Sequence, residues 1–119
     1  MNKIIIRSRL NETVGTVDEQ GVIRNRLNMK LGYLVDEGLV RDRTRLKMGR
    51  VDEDFTLRNR LGQRVGYLAE DGKIRANNGV VVGHVRFPVI EVPEGEEPPE
   101  PNWAYAAAGA LMLLLGEMA

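Results

Sequence analysis

Arginine recurs at intervals of 17 residues, at Arg7, Arg24, Arg41, Arg58 and Arg75. A second series, Arg9, Arg26, Arg43 and Arg60, follows two positions behind the first and is broken by Asn77. A guanidinium offers planar, charge-assisted donors that match a phosphate or carboxylate, so arginines gathered about one axis would make an anion site. The third stretch is the most basic. It adds Arg45, Lys47 and Arg50 to Arg41 and Arg43, and these five are the candidate anion-binding residues. The competing explanation is structural, with outward arginines paired to turn acids on a solvated sheet face. The sequence leaves the direction open, because the arginines and short apolar positions alternate with glycines compatible with either face.

Other chemistry has less material to work with. His84 is the single histidine and takes the position held by Thr16, Tyr33, Arg50 and Tyr67 elsewhere in the repeat. No orienting partner for a general base is identifiable beside it. Cysteine is absent, which excludes disulfides, thiolate zinc sites and a cysteine nucleophile. The acids cluster at Asp18-Glu19, Asp36-Glu37, Asp52-Glu53-Asp54 and Glu70-Asp71 without the ligand order of a calcium loop. Turn formation accounts for them. No catalytic residue, metal or cofactor is assigned, and the chain reads as a non-enzyme.

The elements that position these side chains follow from the same repeat. Four complete units of 17 residues and a partial fifth align, with strand glycines at Gly15, Gly32, Gly49, Gly66 and Gly83. Within a unit, Ile23-Arg24-Asn25-Arg26-Leu27 alternates apolar and polar, the period of a strand, and Leu31-Gly32-Tyr33-Leu34 follows closely. Asn11, Asn28, Gly62 and Gly79 share one position between the two segments, where positive φ marks a tight turn. Connections such as Asp36-Glu37-Gly38 put acids first and glycine last, as in a type I turn closed by a left-handed residue. Turns this short enforce an antiparallel meander, predicted at about nine strands. A meander removes its edges by closing, so the expected fold is all-β: a small pseudo-four-fold ring or barrel with one C-terminal apolar helix. The glycines leave room inside for something.

The predicted organisation is a hairpin-repeat domain over residues 1–87, a Pro/Glu-rich linker over 88–101 and an apolar helix over 102–119. The helix, with Asn102 as a possible N-cap, is apolar from Trp103 to Leu115 and too short for a simple span of the ~30 Å hydrocarbon core. Being apolar all round, it must be covered by the ring, a second copy or lipid. Trp103, Leu111, Leu113 and Leu114 are the candidate packing or interface residues. Residues 1–87 hold all 17 Lys and Arg against 11 acids, while residues 88–119 hold 6 acids and neither Lys nor Arg. A basic body and an acidic tail either screen one another or face different partners. The opening Met1 to Ile6 is too short an apolar stretch for a secretory signal, so the reading is cytoplasmic.

The period, the Ile6-Arg7-Ser8-Arg9 opening, the Val65-Gly66-Tyr67-Leu68 centre and the acid-then-glycine turns together resemble the bacterial four-fold beta flower family over about residues 4–85. That resemblance implies short hairpins about a pseudo-four-fold axis and no established activity. Unit three departs from it, with Arg45 where others have Asn or Gly and Phe55 where others have Gly. Either the turn type changes there or a side chain is held at positive φ. The functional expectation is a structural or protein-interaction module that packs on itself or on a homo-oligomeric partner through its helix. The alternatives are an anion-binding module and a membrane-peripheral protein anchored by the tail. Nucleic acid is disfavoured by a pI of 6.6 and by the lack of repeated exposed aromatics.

Overall fold

The computed structural model describes residues 3–35, 38–89, 91–97 and 100–118. The expected turn acids Asp36 and Glu37 lie outside the described residues. Ten strands follow in order: β1 (Ile4–Ser8), β2 (Thr13–Val17), β3 (Val22–Asn25), β4 (Lys30–Leu34), β5 (Leu39–Asp42), β6 (Lys47–Val51), β7 (Thr56–Asn59), β8 (Arg64–Leu68), β9 (Lys73–Ala76) and β10 (Val81–Arg86). Each pairs antiparallel with its neighbours in the chain, and β10 returns to β1 through Ile6↔Val85 and Arg7↔His84. The result is a closed barrel with one C-terminal helix, α1 (Trp103–Leu114).

The strand count is ten where the repeat predicts about nine, because the fifth unit supplies both β9 and β10. This number has a topological consequence. An even meander returns β10 to the end of the barrel where β1 began, so the chain enters α1 from that end without crossing the sheet. Connections β1–β2, β3–β4, β5–β6, β7–β8 and β9–β10 lie at one rim, the tip rim. The remaining connections lie at the opposite, acidic rim.

Both rims use the same turn. The amide of Asn11 donates to Ser8 O at 2.9 Å and that of Ser8 to Glu12 O at 2.8 Å, while Gly21 and Asp18 repeat the pattern at the acidic rim. One residue in each such turn has positive φ, from Asn11 (64°) and Asn28 (65°) to Gly21 (80°) and Gly72 (85°). Unit three keeps the turn and places side chains there, with φ of 72° at Arg45 and 66° at Phe55. Phe55 is compensated by packing, its ring centroid lying 6.2 Å from that of Trp103.

The barrel interior alternates bulk and absence of bulk. Register sets Ile6 opposite Gly15, Ile23 opposite Gly32, Val40 opposite Gly49, Leu57 opposite Gly66 and Ile74 opposite Gly83. All five aliphatic residues are 0% exposed. The glycines face inward as well, and so the following residue on each strand faces out. Tyr33 and Tyr67 are therefore on the outer face, opposite Arg41 and Arg75, and do not fill the interior.

Helix α1 runs up the lumen from the acidic rim. Asn102 caps it by accepting from the Tyr105 amide at 3.1 Å. Trp103 closes the entrance, edge-on to Phe87 at 4.8 Å between centroids. Residues 106–112 are all buried, which a free helix in water would not tolerate for so apolar a sequence.

Candidate functional site: the arginine-bearing rim

The first arginine series is a set of turn staples. In every unit the Nη1 of the arginine donates to the carbonyl oxygen four residues on: Arg7 to Asn11 (3.1 Å), Arg24 to Asn28 (3.2 Å), Arg41 to Arg45 (2.7 Å), Arg58 to Gly62 (3.1 Å) and Arg75 to Gly79 (2.8 Å). The acceptor is always the residue of positive φ. The turn geometry leaves that carbonyl unused by the ladder, and the guanidinium satisfies it while its stem lies along the outer sheet face. These five are half-buried and face outward, so they do not converge on the barrel axis. Arg58 also donates from Nε to Asp52 Oδ2 at 2.8 Å.

The second series occupies a different place from the one its spacing predicts. Alternation puts Arg26 on the strand face two residues after Arg24, but β3 ends at Asn25 and Arg26 opens the turn. The side chain of the preceding residue ends the strand: Asn25 Oδ1 accepts from the amides of Leu27 (2.9 Å) and Met29 (3.0 Å). Asn59 and Asp42 do the same in units four and three. Arg9, Arg26, Arg43 and Arg60 consequently stand exposed on the tip rim. The Asp42 carboxyl is held below the usual carboxylate range, first by the hydrogen bond from the Thr44 hydroxyl and further by the Leu46 and Thr44 amides.

The five candidate anion-binding residues divide accordingly. Arg43, Arg45 and Lys47 share one exposed tip, and Arg41 beneath them is committed to the Arg45 carbonyl. Arg50 sits farther along β6, opposite Arg58, and borders an open cleft at the acidic rim with Asp52, Phe55 and Ala104. Among the described residues no group of three or more potential ligands could hold a metal ion. His84 lies on the outer face opposite Arg7.

The packing candidates are brought together with the barrel glycines. A side-chain carbon built on Gly49 would lie 2.9 Å from Leu111, on Gly66 2.8 Å from Leu114, on Gly83 2.8 Å from Leu113 and on Gly32 2.8 Å from Met112. Gly15 accommodates Met118 in the same way, with Sδ at 2.8 Å. Five holes in the wall thus receive five knobs. Where the wall is bulky the relation inverts, and Gly109 faces Ile6 and Val17. Trp103, the remaining candidate, sits apart from these at the acidic entrance.

One class of rim residue carries no periodic signal within a unit. Among the described residues the exposed large hydrophobic side chains are Leu10, Leu27, Met29, Leu46, Leu61, Val80 and Val89, and all but Val89 belong to the tips. Only superposing the units, which puts Leu10, Leu27 and Leu61 at one offset beside Arg9, Arg26 and Arg60, makes the set visible.

The two arginine series separate by experiment. Replacing Arg75 by alanine removes a part-buried hydrogen bond and should cost about 1 kcal/mol in urea unfolding. Arg26→Ala should change stability by less than about 0.5 kcal/mol. Equal effects would show that the staples are incidental.

Comparison of the chain with protein-family models, curated proteins and solved structures finds no match.

Proposed function

We propose that this chain is a non-catalytic interaction module, a barrel stoppered by its own helix that works from its outer surface. The observation that supports this reading is the occupied lumen. Small barrels that act on or carry small molecules hold them inside, and here that volume is filled by α1, whose residues Ala106, Ala107, Ala108, Ala110, Leu111 and Met112 are 0% exposed. Among the described residues the exposed large apolar side chains other than Val89 stand at the tip rim, where exposed arginines accompany them. The anion-binding reading survives in narrowed form, resting on Arg43, Arg45 and Lys47 together with Arg26 and Arg60 from neighbouring tips. The resemblance to the four-fold beta flower family rests on the 17-residue hairpin unit alone, since the barrel closes through five hairpins where a pseudo-four-fold plan implies four. Self-association through the helix is the less economical arrangement, since its apolar surface is already covered.

Hydrogen exchange in the free protein tests the reading. Amides of residues 106–112 should be among the slowest in the chain, opening only with global unfolding. Exchange of these amides well before the strands would mean that the helix leaves the lumen, and the stoppered module would have to be abandoned.

A further inference from the structure

The tip rim combines two properties that one kind of partner uses together. Five turns of common geometry bring Leu10, Leu27, Leu46, Leu61 and Val80 to one end of the barrel, with exposures of 73%, 72%, 66%, 74% and 51%. Arg9, Arg26, Arg43, Arg45 and Arg60 stand exposed among them. Isolated exposed aliphatic residues need no explanation, but a ring of them confined to one rim does. The opposite rim has the opposite sign, with Asp18, Glu19, Asp52, Glu53, Glu70 and Asp71 in its turns. The acids at the tip end are few. Asp42 is committed to its own turn, and Glu12 and Glu117 are the others.

We infer that the tip rim docks on an anionic lipid bilayer, the aliphatic tips entering the interfacial zone and the arginines meeting headgroup phosphates. The inference rests on the reading of the barrel as a module acting from its outer surface, and it names the partner. Aliphatic side chains interleaved with arginine are the pairing an interface of hydrocarbon and phosphate accepts. The acidic rim is repelled from the same surface, so the charge distribution also sets the orientation, with α1 standing along the membrane normal and its C-terminal end down. Single-stranded nucleic acid would use the arginines but has no partner for the aliphatic ring, and the tips carry no aromatic platform for bases. The protein lies on the bilayer and does not cross it. Its strands of four to six residues fall short of the ~9–11 a spanning strand needs, and no helix among the described residues is long and apolar enough to span.

Flotation of the full-length protein with vesicles tests this. Vesicles mixing phosphatidylglycerol into phosphatidylcholine should carry the protein at low salt, and vesicles of phosphatidylcholine alone should carry far less. Each surface cation contributes roughly fivefold, so the Arg26→Ala/Arg43→Ala/Arg60→Ala variant should lose roughly a hundredfold in affinity. Leu10→Ser/Leu27→Ser/Leu61→Ser should also lose binding, with unchanged thermal melting because these side chains are exposed. In a Leu27→Trp variant the new indole should shift to the blue and be quenched by brominated lipid, whereas Trp103 at the far rim should not respond. Vesicle binding that ignores the tip substitutions would overturn the inference. So would retention on single-stranded DNA, or assembly of copies, without vesicle binding. If the folded protein ignores anionic vesicles while residues 106–112 remain protected from exchange, the lipid inference falls and the module reading stands. Loss of that protection removes the module reading whatever the vesicles show.

Discussion

Gly32→Val is expected to destabilise the protein by on the order of 4 kcal/mol, or to prevent folding. The position has room on neither side. A first side-chain carbon there collides with the Arg41 carbonyl oxygen of the adjacent strand and lies 2.8 Å from Met112 Cε. The methionine can move, but the carbonyl belongs to the β4–β5 ladder, where Gly32 is opposite Asp42 and Tyr33 opposite Arg41. Relief would require the strands to separate. Adding Met112→Ala should therefore not rescue the variant, which distinguishes a wall-to-wall clash from simple crowding of the lumen. Gly62→Ala provides the contrast, since its φ is +81° and nothing lies within 4 Å of the added carbon. That variant should lose only the ~1–2 kcal/mol of a left-handed side chain, a conformation that Asn11, Asn28 and Arg45 already adopt at equivalent positions. Thermal melting of the pair checks the argument. If Gly32→Val melts within a few degrees of the unmodified protein, the close approach of the Arg41 carbonyl is not what requires glycine at this position.

The repeat makes the barrel legible because strand period and turn chemistry coincide at every unit. Ile23-Arg24 lies in a strand, Asn28 turns it and Gly32 lies in the next strand, assignments that can be made from residue type, whereas the inward facing of Gly32 is seen only in the barrel. The glycines signal an internal space and the tail an apolar helix needing cover, yet nothing in the residue pattern joins the two. A hole is defined by what is missing, and no pattern in the wall specifies whether Leu111 or Leu114 enters at Gly49. Met118 illustrates the difficulty further, because it reaches Gly15 only after the chain reverses through Gly116 at φ +79°. The arginine series are equally visible, but alternation groups them wrongly. Their spacing of two implies one strand face, whereas the Asn25 side chain ends the strand between Arg24 and Arg26 by accepting two turn amides. That local competition between side chain and ladder converts one arginine into a staple and the next into an exposed rim cation.

Deleting residues 102–119 is expected to leave a chain that cannot hold the barrel. The helix covers Ile6, Ile23, Val40, Leu57 and Ile74 on the inner wall and is itself buried through Leu111 and Met112. Burial of each such large side chain is worth about 1.5–3 kcal/mol, so exposing them removes on the order of 10 kcal/mol, comparable with the ~5–15 kcal/mol net stability of a domain. The barrel has no way to shrink into the vacated space, because its circumference is fixed by ten strands closed through β1 and β10. The truncated chain should therefore aggregate or expose its core, seen as a large mass in light scattering and as dye binding. Adding a synthetic peptide of residues 102–119 should restore a monomer-sized species, since noncovalent packing holds the helix to the wall. Restoration should fail for a peptide carrying Gly109→Leu, because a side chain there meets Ile6 Cδ1 and Val17 Cγ2 at 2.8 Å. A truncated protein that remained soluble, monomeric and equally stable would show that the wall supports itself, and the lumen would then be open to a ligand in place of the helix.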